Sequence, residues 1–224
     1  MISNRKSLAA SAFLAILLAF PASAQEQFDL ACRGVAQTAF GPATYEQRFS
    51  VDLQNEHFCE AACAMQTPLE RVAEGFSVAL IPIADVPFSQ IRVSFDSETK
   101  TVVQLIQRTG STPLLIHSRC QQTAFSGLQA RPEVAPNYAL PTFPEGHPTY
   151  PSRAIRQGAE GRVVYRVTLD ERGRVVDCVI LSTSFEADLD GATCTDLRRT
   201  AVFEVDAEEG GGAVRIGVLT WGLR

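Results

Sequence analysis

The stretch from Tyr150 to Trp221 constrains this 224-residue chain most, because its residue periodicity switches in step with its turn-formers. Pro151 suits a first helical turn and Gly158 a left-handed stop, so Ser152 to Gln157 is expected to form a short helix. In the strand that follows, Val163, Tyr165, Val167 and Leu169 share the face assigned to the core, and Val164, Arg166 and Thr168 share the other. Asp170-Glu171-Arg172-Gly173 reads as a hairpin turn. The returning strand carries Val176, Cys178 and Ile180 on one face and Val175, Val179 and Leu181 on the other, and the pattern does not choose between them. Ala187 to Ala201 reads as a helix with a weak stripe of Leu189, Thr193 and Leu197 flanked by Ala192 and Ala201. The last strand alternates Val214, Ile216, Val218 and Thr220 with Arg215, Gly217, Leu219 and Trp221.

The expected unit is therefore an αββαβ module. At a sheet edge its last strand offers a row of unpaired backbone groups. An extended peptide can satisfy them by strand addition. A covered edge or a homodimer seam is the alternative.

Residues 1–24 have the three parts of a secretory signal: Arg5 and Lys6, an apolar run from Leu8 to Phe20, and Ala22-Ser23-Ala24 before Gln25. The apolar run is short for a spanning helix, which needs about 20 residues. The expectation is an exported chain beginning at Gln25; the alternative is a retained anchor in the inner membrane. Loss of Arg5 and Lys6 takes the net charge from −5 to −7. So acidic a chain is a poor candidate for binding nucleic acid or anionic membrane surfaces, and neither is expected as a partner.

The six cysteines then read as disulfides. Cys32, Cys59, Cys63 and Cys120 precede a proline-dense stretch, and Cys178 and Cys194 follow it, so each half can close its own bridges. Of the three connectivities open to the first four, Cys59–Cys63 with Cys32–Cys120 is the expected one. A Cys178–Cys194 bridge would tie the second helix of the module to its second strand across a loop of about fifteen residues, worth roughly 3 kcal/mol.

Residues 25–128 alternate on a two-residue period at Phe28 to Val35, Tyr45 to Leu53, Phe76 to Ile81, Ile91 to Phe95, Thr101 to Gln107 and Leu114 to Arg119, with turn-formers between. That spacing predicts a small all-β sandwich or barrel. Phe58 to Met65 and Leu69 to Glu74 are expected as brief helical turns. His57, Cys59 and Cys63 lie close in sequence, but a tetrahedral site needs about four ligands, and no metal or cofactor is expected. Nucleophile elbows, zinc-protease, phosphate-loop and dinucleotide motifs are absent from the sequence. The Asp188 and Asp190 pair is read as favouring a helix start. No catalytic residue is assigned and the chain is read as a non-enzyme. Residues 129–147 form a proline-rich linker, the expected boundary before a second domain at 148–224.

Pro148-Thr149-Tyr150-Pro151, Ala154, Gly158-x-Glu160-Gly161-x-Val163, Asp170-x-x-Gly173-x-Val175 and Leu189-Asp190-x-Ala192 together resemble the C-terminal domain of TonB-type energy transducers. The resemblance implies a three-stranded antiparallel sheet against two helices, giving an α+β chain with its β domain first. It also implies a periplasmic location, a link to transport across the outer membrane, and binding of an extended segment of an outer-membrane transporter along Val214 to Trp221. His147 stands where family members contact their receptor just before the Pro-x-Tyr-Pro motif. The functional expectation is a periplasmic protein that receives a strand from an envelope partner. An anchored energy transducer and a small-ligand carrier built on the β domain are the alternatives.

Overall fold

The computed structural model describes residues 26–61, 63, 66–82, 90–108, 110–129, 140–144, 146, 148–205 and 211–223. The signal-like segment, most of the proline-rich linker and His147 lie outside the described residues. Eight antiparallel strands come first: β1 Gln27–Thr38, β2 Gly41–Asp52, β3 His57–Glu60, β4 Thr67–Val72, β5 Gly75–Pro82, β6 Gln90–Asp96, β7 Thr101–Gln107 and β8 Leu114–Thr123. Each pairs with the next, and β8 returns to β1, which closes a barrel.

Alternation decides what the barrel encloses. Phe28, Leu30 and Cys32 on β1, Ile91, Val93 and Phe95 on β6, and Leu114, Ile116 and Cys120 on β8 are buried, while intervening residues such as Arg33, Arg92 and Arg119 point outward. The polar outer face is the reverse of a lipid-facing belt. An eight-stranded barrel is just wide enough to be filled by side chains. Here the Phe28, Phe76 and Phe95 rings stack with centroids 6.0 and 5.2 Å apart. Cys32 and Cys120 lie directly opposite across β1 and β8 and are joined. Cys59–Cys63 and Cys178–Cys194 are the other two disulfides.

Of the segments expected as helical turns, residues 58–60 belong to β3 and residues 69–72 to β4; 62, 64 and 65 lie outside the described residues. Phe58 and Leu69 point into the barrel and pair along the ladder near Val51 and opposite Val78. Four and six residues are too few for a two-residue period to stand out.

After the barrel come α1 Ser152–Gln157, β9 Gly161–Leu169, β10 Val175–Ser182, α2 Ala187–Thr200 and β11 Val214–Trp221. The expected fold class, a β domain followed by an α+β domain with its own three-stranded sheet, is corrected here. The chain is mostly β, and β10, β9 and β11 continue the barrel's sheet, giving eleven strands in the order β1-β8-β7-β6-β5-β4-β3-β2-β10-β9-β11. The reason is the length of β3. It pairs only with Phe49 to Asp52 of β2, so the first half of β2 has a free edge, and β10 joins it in parallel at Ile180 opposite Tyr45. Arg166 on β9 reinforces the seam with an ion pair to Glu46 on β2 at 2.6 Å.

α2 lies between the β9–β10–β11 strands and the end of the barrel that carries the β1–β2 turn. Its first eleven residues are all buried or half-buried, which explains why its sequence shows only a weak apolar stripe: both faces are covered. Leu189 and Leu197 are fully buried, and toward the strands the helix is tied to β10 by Cys178–Cys194. Toward the barrel, Gly191 rests on Thr38, where a β-carbon would meet the Thr38 hydroxyl at 2.1 Å.

The acidic start of α2 is a buried joint. Asp190 is fully buried and accepts hydrogen bonds from the Tyr45 hydroxyl (3.1 Å), the Thr183 hydroxyl (2.5 Å), and the Ser184 hydroxyl (2.7 Å) and N–H (2.9 Å). Burial raises its pKa, against the pull of these donors. Glu186 accepts from Arg108 at 2.9 Å and Ser111 at 2.8 Å, both in the β7–β8 connection. Tyr45→Phe removes one of Asp190's four donors, and its expected cost is about 1.5–3 kcal/mol by urea unfolding at neutral pH. In a double-mutant cycle with Asp190→Ala, most of that loss should disappear.

Candidate functional site

The last strand of the sheet, β11, pairs with β9 from Val214 opposite Thr168 to Trp221 opposite Gly161. It ends the strand order, and among the described residues no strand pairs with its other side. Leu169 N–H donates to the Ala213 carbonyl at 2.8 Å, which sets the phase of the ladder. In an antiparallel pair, hydrogen-bonded and non-bonded positions alternate. Arg215, Gly217, Leu219 and Trp221 therefore bond to β9, and the N–H and C=O groups of Val214, Ile216, Val218 and Thr220 point to the open side. The Val214 carbonyl accepts from the Arg215 guanidinium at 3.1 Å, consistent with this phase.

The eight strand residues expected at the site divide by what their side chains do. Trp221 is an anchor: it is 4% exposed, donates from Nε1 to the Thr193 hydroxyl of α2 at 3.0 Å, and meets the Tyr150 ring edge-on at 5.2 Å. Tyr150 in turn donates to the Ala159 carbonyl at 2.5 Å. Its pKa is raised by burial, helped by the charges of Glu160 and Glu186. Gly217 is buried beneath Tyr165, its partner on β9, whose hydroxyl a β-carbon at Gly217 would meet at 2.3 Å. Arg215 also reaches the Glu204 carbonyl at 3.2 Å. Val214 and Thr220 are exposed, and Ile216, Val218 and Leu219 are half-buried. The edge is thus rigidly held on its inner side and open along its outer side.

Tyr165 carries a cost. Its hydroxyl is buried with no hydrogen-bond partner among the described residues, and burial pushes its pKa up to about 12. The ring fills the space over Gly217, so backing the open strand takes precedence over satisfying one phenol.

Residues 146–221 match the family described as Gram-negative bacterial TonB protein C-terminal. The match covers about a third of the chain and supports the resemblance of that stretch to the TonB C-terminal domain family. No curated protein and no solved structure matches the chain. The TonB C-terminal domain points to an envelope protein connected with transport. Its disulfides fit an exported protein. Among the described residues no helix is long and apolar enough to cross a membrane, and no group of three or more His, Cys, Asp or Glu is placed to hold a metal ion. The sequence placed β11 beside the TonB-like framework but missed the buried acids that fix this domain to the barrel. Thr183 and Ser184 just ahead of Glu186, Asp188 and Asp190 were the available signal, since hydroxyls beside acids at a helix start can bond to them as well as cap the helix.

Gly217→Ala forces Tyr165 out of its place, with an expected loss of about 1–3 kcal/mol. Tyr165→Phe removes the unsatisfied hydroxyl and is expected to raise stability by about 1 kcal/mol. Thermal unfolding of the two variants beside the parent checks both signs.

Proposed function

We propose that this protein is a non-enzymatic adaptor of the cell envelope that receives an extended segment of an outer-membrane transporter or other envelope partner along the open side of β11. The observation that carries the reading is the directed row of backbone groups at Val214, Ile216, Val218 and Thr220 on a strand whose inner side is anchored by Trp221 and Tyr165. An added strand gains affinity from main-chain hydrogen bonds and specificity from alternate side chains. Ile216 and Val218 supply a half-buried apolar surface for those side chains. The family of the C-terminal domain supports a partner in the envelope and a role in transport.

A chain-specific addition is the barrel. Because β2 continues into β10, β9 and β11, a guest strand would extend the same sheet that closes the barrel. The barrel interior is a packed aromatic and aliphatic core, which favours a scaffold over a carrier of small ligands.

Proline separates binding from folding at this edge. Val218→Pro deletes an outward N–H and leaves the β9 ladder intact, so the protein should stay folded by circular dichroism and lose capture of partners from a native envelope extract. Leu219→Pro deletes a ladder bond and should instead lower stability by about 1–3 kcal/mol. Unchanged capture by a folded Val218→Pro protein sinks the proposal.

A further inference from the structure

A second feature lies on the outer wall of the barrel, away from β11. A cleft of about 790 Å³ opens over β8, β1 and β2, beside the seam to β10. Ala31 lies at its centre, opposite Arg48 on β2 and Gln121 on β8. Arg33, one step along the same face, is opposite Glu46 on β2 and Arg119 on β8. A small floor residue is thus surrounded by three guanidiniums, and Arg166 from β9 adds a fourth.

The charges do not balance. Glu46 serves both Arg166, at 2.6 Å, and Arg33, at 3.6 Å. Glu60 accepts hydrogen bonds from Gln47 and Gln104, whose side chains belong to the barrel interior. Asp177, 3.9 Å from Arg33, is shared with Arg198 at 3.7 Å. The guanidinium groups of Arg48 and Arg119, both exposed, have no ion-pair or hydrogen-bond partner among the described residues. Two positive charges are left over in the cleft of a chain whose net charge is −5. Arg33 and Arg119 are also like charges directly opposite in an antiparallel ladder, an arrangement that disfavours pairing unless something neutralises it.

We propose that this cleft binds a phosphate monoester group, with Arg48 and Arg119 as its principal ligands and Arg33 at its edge. One phosphate dianion matches the surplus of two charges, and the planar forks of arginine suit its oxygens in bidentate pairs. The open cleft leaves room for the organic body attached to the phosphate. The same chemistry is offered by a free phosphorylated metabolite and by a phosphatidic-acid headgroup.

The test uses the purified protein in about 0.15 M salt, where loose surface attraction is screened. Glycerol 3-phosphate is titrated by calorimetry in one arm. In the other, the protein is sedimented with phosphatidylcholine vesicles with and without phosphatidic acid. Binding in the first arm assigns a soluble ligand, and binding to acidic vesicles alone assigns the headgroup. In whichever arm binds, Arg48→Gln and Arg119→Gln should each weaken affinity about tenfold or more. Arg92→Gln, the same charge change elsewhere on the barrel, should leave it unchanged. Because both ligand arginines are exposed and Arg119 faces Arg33, the Gln variants are expected to keep or raise the melting temperature. Arg48→Lys with Arg119→Lys, which keeps the charge and loses the fork, should bind with intermediate affinity. No binding in either arm, or equal binding by the parent and the double Gln variant, overturns the proposal.

Discussion

The arrangement of this molecule depends on a helix whose first eleven residues have no solvent face. α2 is covered by the β9–β10–β11 strands on one side and by the end of the barrel on the other, and its acidic first turn makes the second contact specific. A buried carboxylate is costly unless it is hydrogen-bonded, and Asp190 has four donors drawn from β2 and from the segment leading into α2. Three of them are local to the helix start, and the fourth, the Tyr45 hydroxyl, is in place only when barrel and helix are docked. The pairing of β10 with β2, the Arg166–Glu46 ion pair and the Glu186 contacts all lie around this joint. The position of β11, on the far side of β9 from the barrel, follows from it.

The parts legible in the sequence were those set by local rules. The face of β9 carrying Val163, Tyr165, Val167 and Leu169 is fully buried, as strict alternation required. Gly158 ends α1 in the left-handed region, and each half of the chain closes its own disulfides. The parts that were not legible depend on lengths and distant partners. β3 is only four residues long, and that shortness frees the edge on which β10 docks. Nothing in the local pattern around His57 announces it. The two apolar faces of β10, ambiguous in the sequence, reflect a strand flanked by β9 and β2 and covered by α2, with register shifts near both ends.

The same contrast holds for the sites. The backbone edge of β11 was readable because alternation and a matched framework define a strand, although the roles of Gly217 and Trp221 as inner anchors needed the positions of Tyr165, Thr193 and Tyr150. The basic cleft was not readable. Arg33, Arg48, Arg119 and Arg166 are scattered over more than half of the chain and meet only because β1 lies between β8 and β2. A net-negative composition hid a local positive excess.

Barrel closure brings its own kinetic order. The seam between β1 and β8, with its Cys32–Cys120 bridge, joins residues 88 apart in sequence, so the loop entropy of a long chain must be overcome before that contact forms. The hairpin of β9 and β10 is local and can form early, but the donors that satisfy Asp190 include a tyrosine of the barrel. The amino-terminal half, which holds that tyrosine, emerges from synthesis before α2 does. β11 is the last element of the chain to be made, so the open edge is the last part of the described sheet to leave the ribosome.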